Sequence, residues 1–322
     1  MTLCQEQHRL MKQYIGIQKN KKKTMTKKIK TLCSAICLAS GLNAVAVHAL
    51  DKVRSPSEII ANAPDSDWQV LDLDNTLLLE LATGTVVIEL NPLLAPNHVE
   101  NIKKLAREGF YQGLNMYRFV EGFVAQGGDA NETKKVTTAK KSLQAEFYHL
   151  SIKPLTMTLV DTQDGYADKT GFLNGFAVAQ NQQGTQTWQT HCVGTFAIAR
   201  SNEADSGGTE FYVALGVLRY LDRNITAFGR VIDGMEHLQR LSRKPSDESK
   251  AAARVFNPIT NMQVAADVKD LAKKYEIMKT DSTSFKELIK ARRNRPGAWF
   301  IETPNYTDVC AVSVPSRPLA EK

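Results

Sequence analysis

The stretch Met116-Tyr-Arg-Phe-Val-Glu-Gly-Phe-Val-Ala-Gln-Gly-Gly-Asp129 leaves this chain few ways to fold. Met116 to Val120 is rich in strand formers, Gly122 interrupts the run, and Gly127-Gly128 predicts a turn that can take positive φ. Side chains alternate along a half-buried strand, so Tyr117 and Phe119 share one face while Met116, Arg118 and Val120 share the other. A guanidinium is almost never buried without a partner, which assigns Tyr117 and Phe119 to the core and Arg118 to the outer surface. Arg118, Phe123, Val124 and Gln126 then form one outer patch.

Around this block the chain reads as mainly β. Ser55-Pro56-Ser57-Glu58 opens a short helix by N-cap chemistry, and Pro64-Asp65 closes it. Trp68 to Leu71, Thr76 to Leu81 and Thr85 to Leu90 predict short strands. Pro96 to Arg107 predicts a helix, with Val99, Ile102, Leu105 and Ala106 on one face and Gly109 as its stop. Past Asp129 the pattern loosens, through Lys134, Lys135, Lys140 and Lys141 to the polar run Asn181 to Thr187. A loop this long either shapes a groove, docks a partner or is surface elaboration. Regular pattern returns with strands at Thr195 to Ala199, Glu210 to Leu215 and Ile225 to Val231, then a helix from Gly234 to Ser242. Ile259 to Ala266 predicts a closing strand. Asp267 to Met278 and Ser284 to Arg293 read as amphipathic helices, the first through Val268, Leu271, Ala272 and Tyr275.

The residues in and after the opening block resemble the cyclophilins, a family of peptidyl-prolyl isomerases. Arg118, Gly122, Phe123, Gln126, Gly127, Gly128 and Asp129 all stand at the family's spacing. The likeness continues in Ser206-Gly-Gly-Thr-Glu-Phe-Tyr212, Leu221-Asp222 and Phe228-Gly-Arg-Val, spanning roughly residues 83 to 243. It implies a closed antiparallel β-barrel with helices, here followed by a C-terminal helical extension. The domain organisation expected is a signal peptide over 1–49, an N-terminal segment over 50–82, a cyclophilin-like domain over 83–266 with an insertion at 130–192, and the extension over 267–322.

The resemblance also implies a site. Arg118 matches the catalytic donor and Gln126 the residue that positions it, while Phe123, Val124, Tyr212 and Leu221 match the proline pocket. Glu210 stands where the family usually has Gln, free either to pair with Arg118 or to add a surface charge. Tyr212 replaces the usual pocket Phe, and its hydroxyl must then reach water or a polar partner. Tyr220 stands near the family's usual Trp, which bears on binding of the cyclic peptide cyclosporin, and Ile225 stands where many members carry His. The implied substrates are X-Pro segments of unfolded or folding proteins, and the reaction needs no cofactor. A binding module or chaperone that keeps the fold but little catalysis is the alternative. No Gly-x-Ser-x-Gly or His-Glu-x-x-His points to a hydrolase.

Charge and cysteines locate the protein. The formal charge is +7, but nine of the 41 Lys and Arg residues lie before residue 50, against Glu6 alone, so 32 basic residues remain against 33 acidic ones. That balance argues against nucleic acid as a partner. Lys27, Lys28 and Lys30, the apolar stretch Leu32 to Val47 and Val47-His48-Ala49 predict a secretory signal cleaved after Ala49, with Met25 as an alternative start and a membrane anchor as the other reading. Export, to the periplasm in a Gram-negative cell, leaves Cys192 and Cys310 to pair or to stay as buried thiols. His98, His149, His191 and His237 show no ligand spacing, so no metal site is expected and structural or surface roles are assigned to them.

Overall fold

The computed structural model describes residues 54–243 and 257–320. The predicted signal segment lies outside these residues.

In chain order the described part opens with α1 (Pro56–Ala61), where Ser55 and Glu58 form a capping box. Next come β1 (Trp68–Val70), β2 (Thr76–Leu81), β3 (Gly84–Leu90), α2 (Pro96–Arg107), β4 (Asn115–Val120) and β5 (Val124–Gly128). The middle of the chain forms β6 (His149–Leu150), β7 (Thr158–Asp161), β8 (Lys169–Leu173), β9 (Phe176–Gln180) and β10 (Gln186–Gln189). After it run β11 (Thr195–Ile198), β12 (Phe211–Ala214), β13 (Ala227–Asp233), α3 (Met235–Gln239), β14 (Ile259–Val264), β15 (Tyr275–Met278), α4 (Thr283–Arg293) and β16 (Ser316–Pro318).

Eight strands pair antiparallel in the order β14-β2-β3-β13-β11-β12-β5-β4. The two ends meet: Gly113 N–H donates to the Ile259 carbonyl at 3.0 Å, Ile259 N–H to that of Leu114 at 2.8 Å, and Asn115 bridges Pro258. The sheet therefore closes into a barrel, which leaves no open edge on β14. Leu77, Leu79, Val86, Ile88, Phe196, Phe211 and Phe228 fill it together with Val99, Ile102 and Leu105 of α2. The strand β2 is apolar on both faces because its outward residue Leu78, with Val87, lies under Tyr275 and Ile277 of β15.

Four expectations need correction. Met116 does not share the solvent face with Arg118: it is fully buried in the barrel, because a bulge between Asn115 and Arg118 breaks the alternation. Gly127-Gly128 is not a turn but the end of β5, where a Cβ would meet Met116 Sδ at 2.5 Å from Gly127 and Glu210 Cα at 2.9 Å from Gly128. Asp267 to Met278 is not a helix. Its last four residues are β15, paired with β1 and β16, and those partners lie far away in the sequence, where local periodicity cannot register them.

The fourth correction concerns the stretch after Asp129. Residues 130–148 are irregular, but from His149 on the stretch builds a second antiparallel sheet, β6-β10-β9-β8-β7. Its central hairpin turns at Asn174-Gly175, both with positive φ, the strongest short-range hairpin signal a sequence offers. Val160 and Phe172 of this sheet share a core with Phe285, Leu288 and Ile289 of α4, Ile59 of α1 and Val309. A Cys192–Cys310 disulfide joins the end of this stretch to the C-terminal segment.

Candidate active site

The site is built on the β4–β5 hairpin and the strand beside it. Arg118 pairs across the hairpin with Gln126, and Gln126 pairs on its other side with Tyr212 of β12. Arg118 is exposed, with Nη1 donating to Gln126 Oε1 at 3.1 Å and its guanidinium 5.4 Å from the Phe123 ring. Gln126 Nε2 donates to Glu210 at 3.2 Å and to the Tyr117 hydroxyl, which in turn donates to Glu210. Burial, reinforced by the Glu210 charge, raises the Tyr117 pKa and keeps that phenol a donor. Glu210 thus neither pairs with Arg118 nor stands free at the surface: it fixes Gln126 through Tyr117, a residue that alternation placed in the core.

Beside the guanidinium lies one apolar cluster. Val124, Ala197, Tyr212, Ala214, Leu218 and Ala227 are its buried members, and Phe123, Leu221, Ile225 and Ala199 pack on them. All four residues expected in the pocket come together there. Val124 is nearly fully buried and forms the floor rather than the lip, whereas Leu221 rides on the 3-10 turn Arg219–Leu221. Tyr220 points to solvent, 56% exposed, and Ile225 joins the cluster.

The Tyr212 hydroxyl finds the polar partner it requires in His191, whose Nε2 lies 3.0 Å away. Sequence reasoning did not connect His191 with the site, and neither spacing nor motif could have done so. A groove of about 680 Å³ opens alongside, lined by Gln126, Glu210, Arg200 and Asp205 among others.

A closed eight-stranded barrel with an arginine at the rim of an apolar pocket defines a cyclophilin-type architecture. The family model described as cyclophilin type peptidyl-prolyl cis-trans isomerase/CLD matches residues 76–264, and the chain belongs to that family. A probable peptidyl-prolyl cis-trans isomerase of Brucella suis is 28% identical over 207 residues, covering 62% of this chain and 86% of the relative. Peptidyl-prolyl cis-trans isomerase B of Bacillus subtilis is 28% identical over 157 residues, covering 49% and 82%. Among solved structures, a cyclophilin from Hirschia baltica superposes with a TM-score of 0.66 at 25% identity, covering 84% of this chain and 99% of that one. That likeness reaches well beyond residues 76–264, so it takes in part of the chain outside the family match.

Proposed function

We propose that this protein isomerises X-Pro bonds in polypeptides that fold after export, with Arg118 acting on the reacting nitrogen. The observation that carries the reading is the position of an exposed guanidinium at the rim of the Phe123, Val124, Tyr212 and Leu221 cluster, aimed by Gln126. Rotation about a prolyl amide meets a barrier of ~18–20 kcal/mol and takes ~10–100 s unaided. In the planar ground state the proline nitrogen shares its lone pair with the carbonyl and accepts no hydrogen bond. At ~90° of twist the pair is localised and can accept one, so a fixed donor binds the transition state better than the substrate. Arg118 supplies that donor with permanent charge, and the apolar cluster holds the ring.

Export is supported by two independent features. The basic segment at Lys27 to Lys30 is followed by an apolar stretch, and the mature chain carries a disulfide. The segment 130–192 is then an insertion into the barrel domain, and 267–322 an extension of it.

A protease-coupled assay on a short X-Pro peptide tests the catalytic reading. Arg118→Ala is expected to lower kcat/KM by ~10–1000-fold, because one charge-assisted hydrogen bond contributes roughly 1.5–3 kcal/mol and is present mainly in the transition state. Arg118→Lys restores little, since an ammonium lacks the planar fork. A folded Arg118→Ala protein that works at the parent rate would replace this reading with that of a proline-recognising binding module.

A further inference from the structure

Behind the pocket wall lies a buried charged network that the catalytic reading leaves unused. His191 is fully buried, and its Nδ1 lies 3.1 Å from Asp222 Oδ1, which also accepts the His191 backbone N–H at 2.9 Å. The other carboxylate oxygen of Asp222 accepts Arg219 Nε at 2.6 Å and the Trp188 indole N–H at 3.4 Å. Arg219 then forms a two-pronged pair with Asp164, at 3.0 and 3.1 Å. The side chains of Asp164, Arg219 and Asp222 are only 2–3% exposed.

Each member has one available role. Asp222 Oδ1 only accepts, so the ring hydrogen of His191 sits on Nδ1 and is donated to it. Burial raises the Tyr212 pKa, so the phenol keeps its proton and donates it to the lone pair of Nε2 when the imidazole is neutral. Burial opposes the charge on Asp222, but the bonds from His191 and Arg219 outweigh it and hold its pKa below the usual carboxylate range. The carboxylate therefore remains an acceptor, and the chain of bonds from Asp164 to the Tyr212 hydroxyl has a fixed direction.

Placement gives this chain its meaning. Arg219 and Asp222 flank Leu221, so one network holds both the turn that carries Leu221 and the hydroxyl of Tyr212. Its outer members come from elsewhere: Trp188 lies on β10, and Asp164 lies between β7 and β8. A buried ion pair gives little net stability compared with apolar residues of the same shape, whereas it does impose a single geometry.

We propose that His191, Asp222 and Arg219 are positioning residues of the proline pocket, and that the second sheet, through Asp164 and Trp188, sets the spacing between Tyr212 and Leu221. The inference rests on the isomerase reading and deepens it.

The test uses the full chain and its Tyr212→Phe, Asp164→Asn and doubly substituted forms, with kcat and KM measured separately on an X-Pro peptide. Asp164→Asn is expected to raise KM by about three- to tenfold with kcat within about twofold, the size of one or two lost hydrogen bonds. The double variant should be no worse than the worse single, since both changes act on one chain of contacts. Imidazole ¹⁵N resonances of His191 give a readout that a purely structural role would not move. The parent should show the Nδ1–H tautomer, and its Nε2 signal should shift on peptide addition. That shift needs no change to a charged group, so it decides the matter even if Asp164→Asn does not fold. An unchanged KM in a cooperatively melting Asp164→Asn protein, multiplying effects in the double variant, or an Nε2 signal indifferent to saturating peptide would each overturn the proposal. A parent with no turnover sinks the isomerase reading itself; an active parent with inert variants sinks only this one.

Discussion

The two sides of the pocket are built differently. Arg118 is exposed and held by one hydrogen bond to a neutral partner, Gln126, whereas Tyr212 is backed by four buried groups in series that end on another sheet. On the proposed reading the exposed side carries the group that engages the reacting nitrogen. The buried side carries groups that hold the pocket in one geometry. Stability and turnover should therefore separate across the pocket: substitutions at Asp222 should act on the fold and on KM, and substitutions at Arg118 on kcat.

The largest expected effect tests that separation directly. Asp222→Ala leaves Arg219 buried with half its compensation gone and strands His191 Nδ1–H and the Trp188 indole, a change that typically costs about 3–5 kcal/mol. Arg118→Ala removes an exposed side chain and should stay within about 0.5 kcal/mol of the parent. Urea melts of both variants check the contrast. Equal losses would show that the two sides are not energetically distinct.

Next in size is the disulfide. It closes a loop across 118 residues and ties the end of the second sheet's stretch, one residue after His191, to the C-terminal segment. Replacing both cysteines by Ser should lower stability by about 2–4 kcal/mol, measured by denaturant midpoint under oxidising conditions. The catalytic constant on the Arg118 side should hardly move.

A smaller effect sharpens the same point through pH. Glu146 accepts the backbone N–H groups of Asn97 and His98 at 3.1 and 3.0 Å and the His98 ring at 2.6 Å, and so caps α2, whose own N-cap residue Ala95 offers no side-chain acceptor. Burial works against its charge, yet these bonds hold its pKa below the ordinary value of 4.5. A carboxylate lowered on folding contributes stability that is complete above its unfolded value and is lost as pH falls through the folded one. Glu146→Gln should therefore cost about 0.5–2 kcal/mol near neutral pH and flatten the acid side of the stability profile below roughly pH 5. A parent-like acid slope in that variant would remove Glu146 from the set of titrating caps.

The contrast between the two sides also explains what could be read from the chain. Arg118, Phe123, Val124 and Gln126 are contiguous, so one hairpin carries their chemistry and spacing alone assembles them. Met116 went to the wrong face because a single bulge shifts the alternation, and bulges leave no mark that composition can register. Asp164, Trp188 with His191, and Arg219 with Asp222 lie on three stretches far apart in the sequence, and buried charges look like solvated ones until their partners are known. The second sheet was legible in part: Leu173-Asn174-Gly175-Phe176 carries a hairpin turn between apolar residues, with Phe172 before it and Ala177-Val178-Ala179 after it. For β15 the missing information was nonlocal, since its neighbours β1 and β16 bracket nearly the whole described chain.

The smallest predicted effect belongs to Glu210, on the exposed side, and it concerns choice among peptides rather than rate. Its carboxylate accepts from Tyr117 and Gln126, and Gln could keep both contacts while removing the charge. The adjoining groove is lined by five carboxylates, on Asp129, Glu132, Glu203, Asp205 and Glu210, against Lys134, Lys141 and Arg200. Five carboxylates against three cations leave a net of two negative charges, and hydrogen bonds to neutral partners do not change that count, so the field met by a peptide is negative. An X-Pro peptide with Lys on the groove side should therefore have a higher kcat/KM than its Glu counterpart by about two- to fivefold, as expected for partly screened charges worth under ~1 kcal/mol. Glu210→Gln should reduce that ratio while leaving the turnover of neutral peptides unchanged, and added salt should shrink it in the parent, because exposed charges are screened beyond about 8–10 Å. A ratio that ignores both salt and the substitution would mean that Glu210 serves only to hold Tyr117 and Gln126, and that the exposed side of the pocket is set by hydrogen bonds as strictly as the buried one.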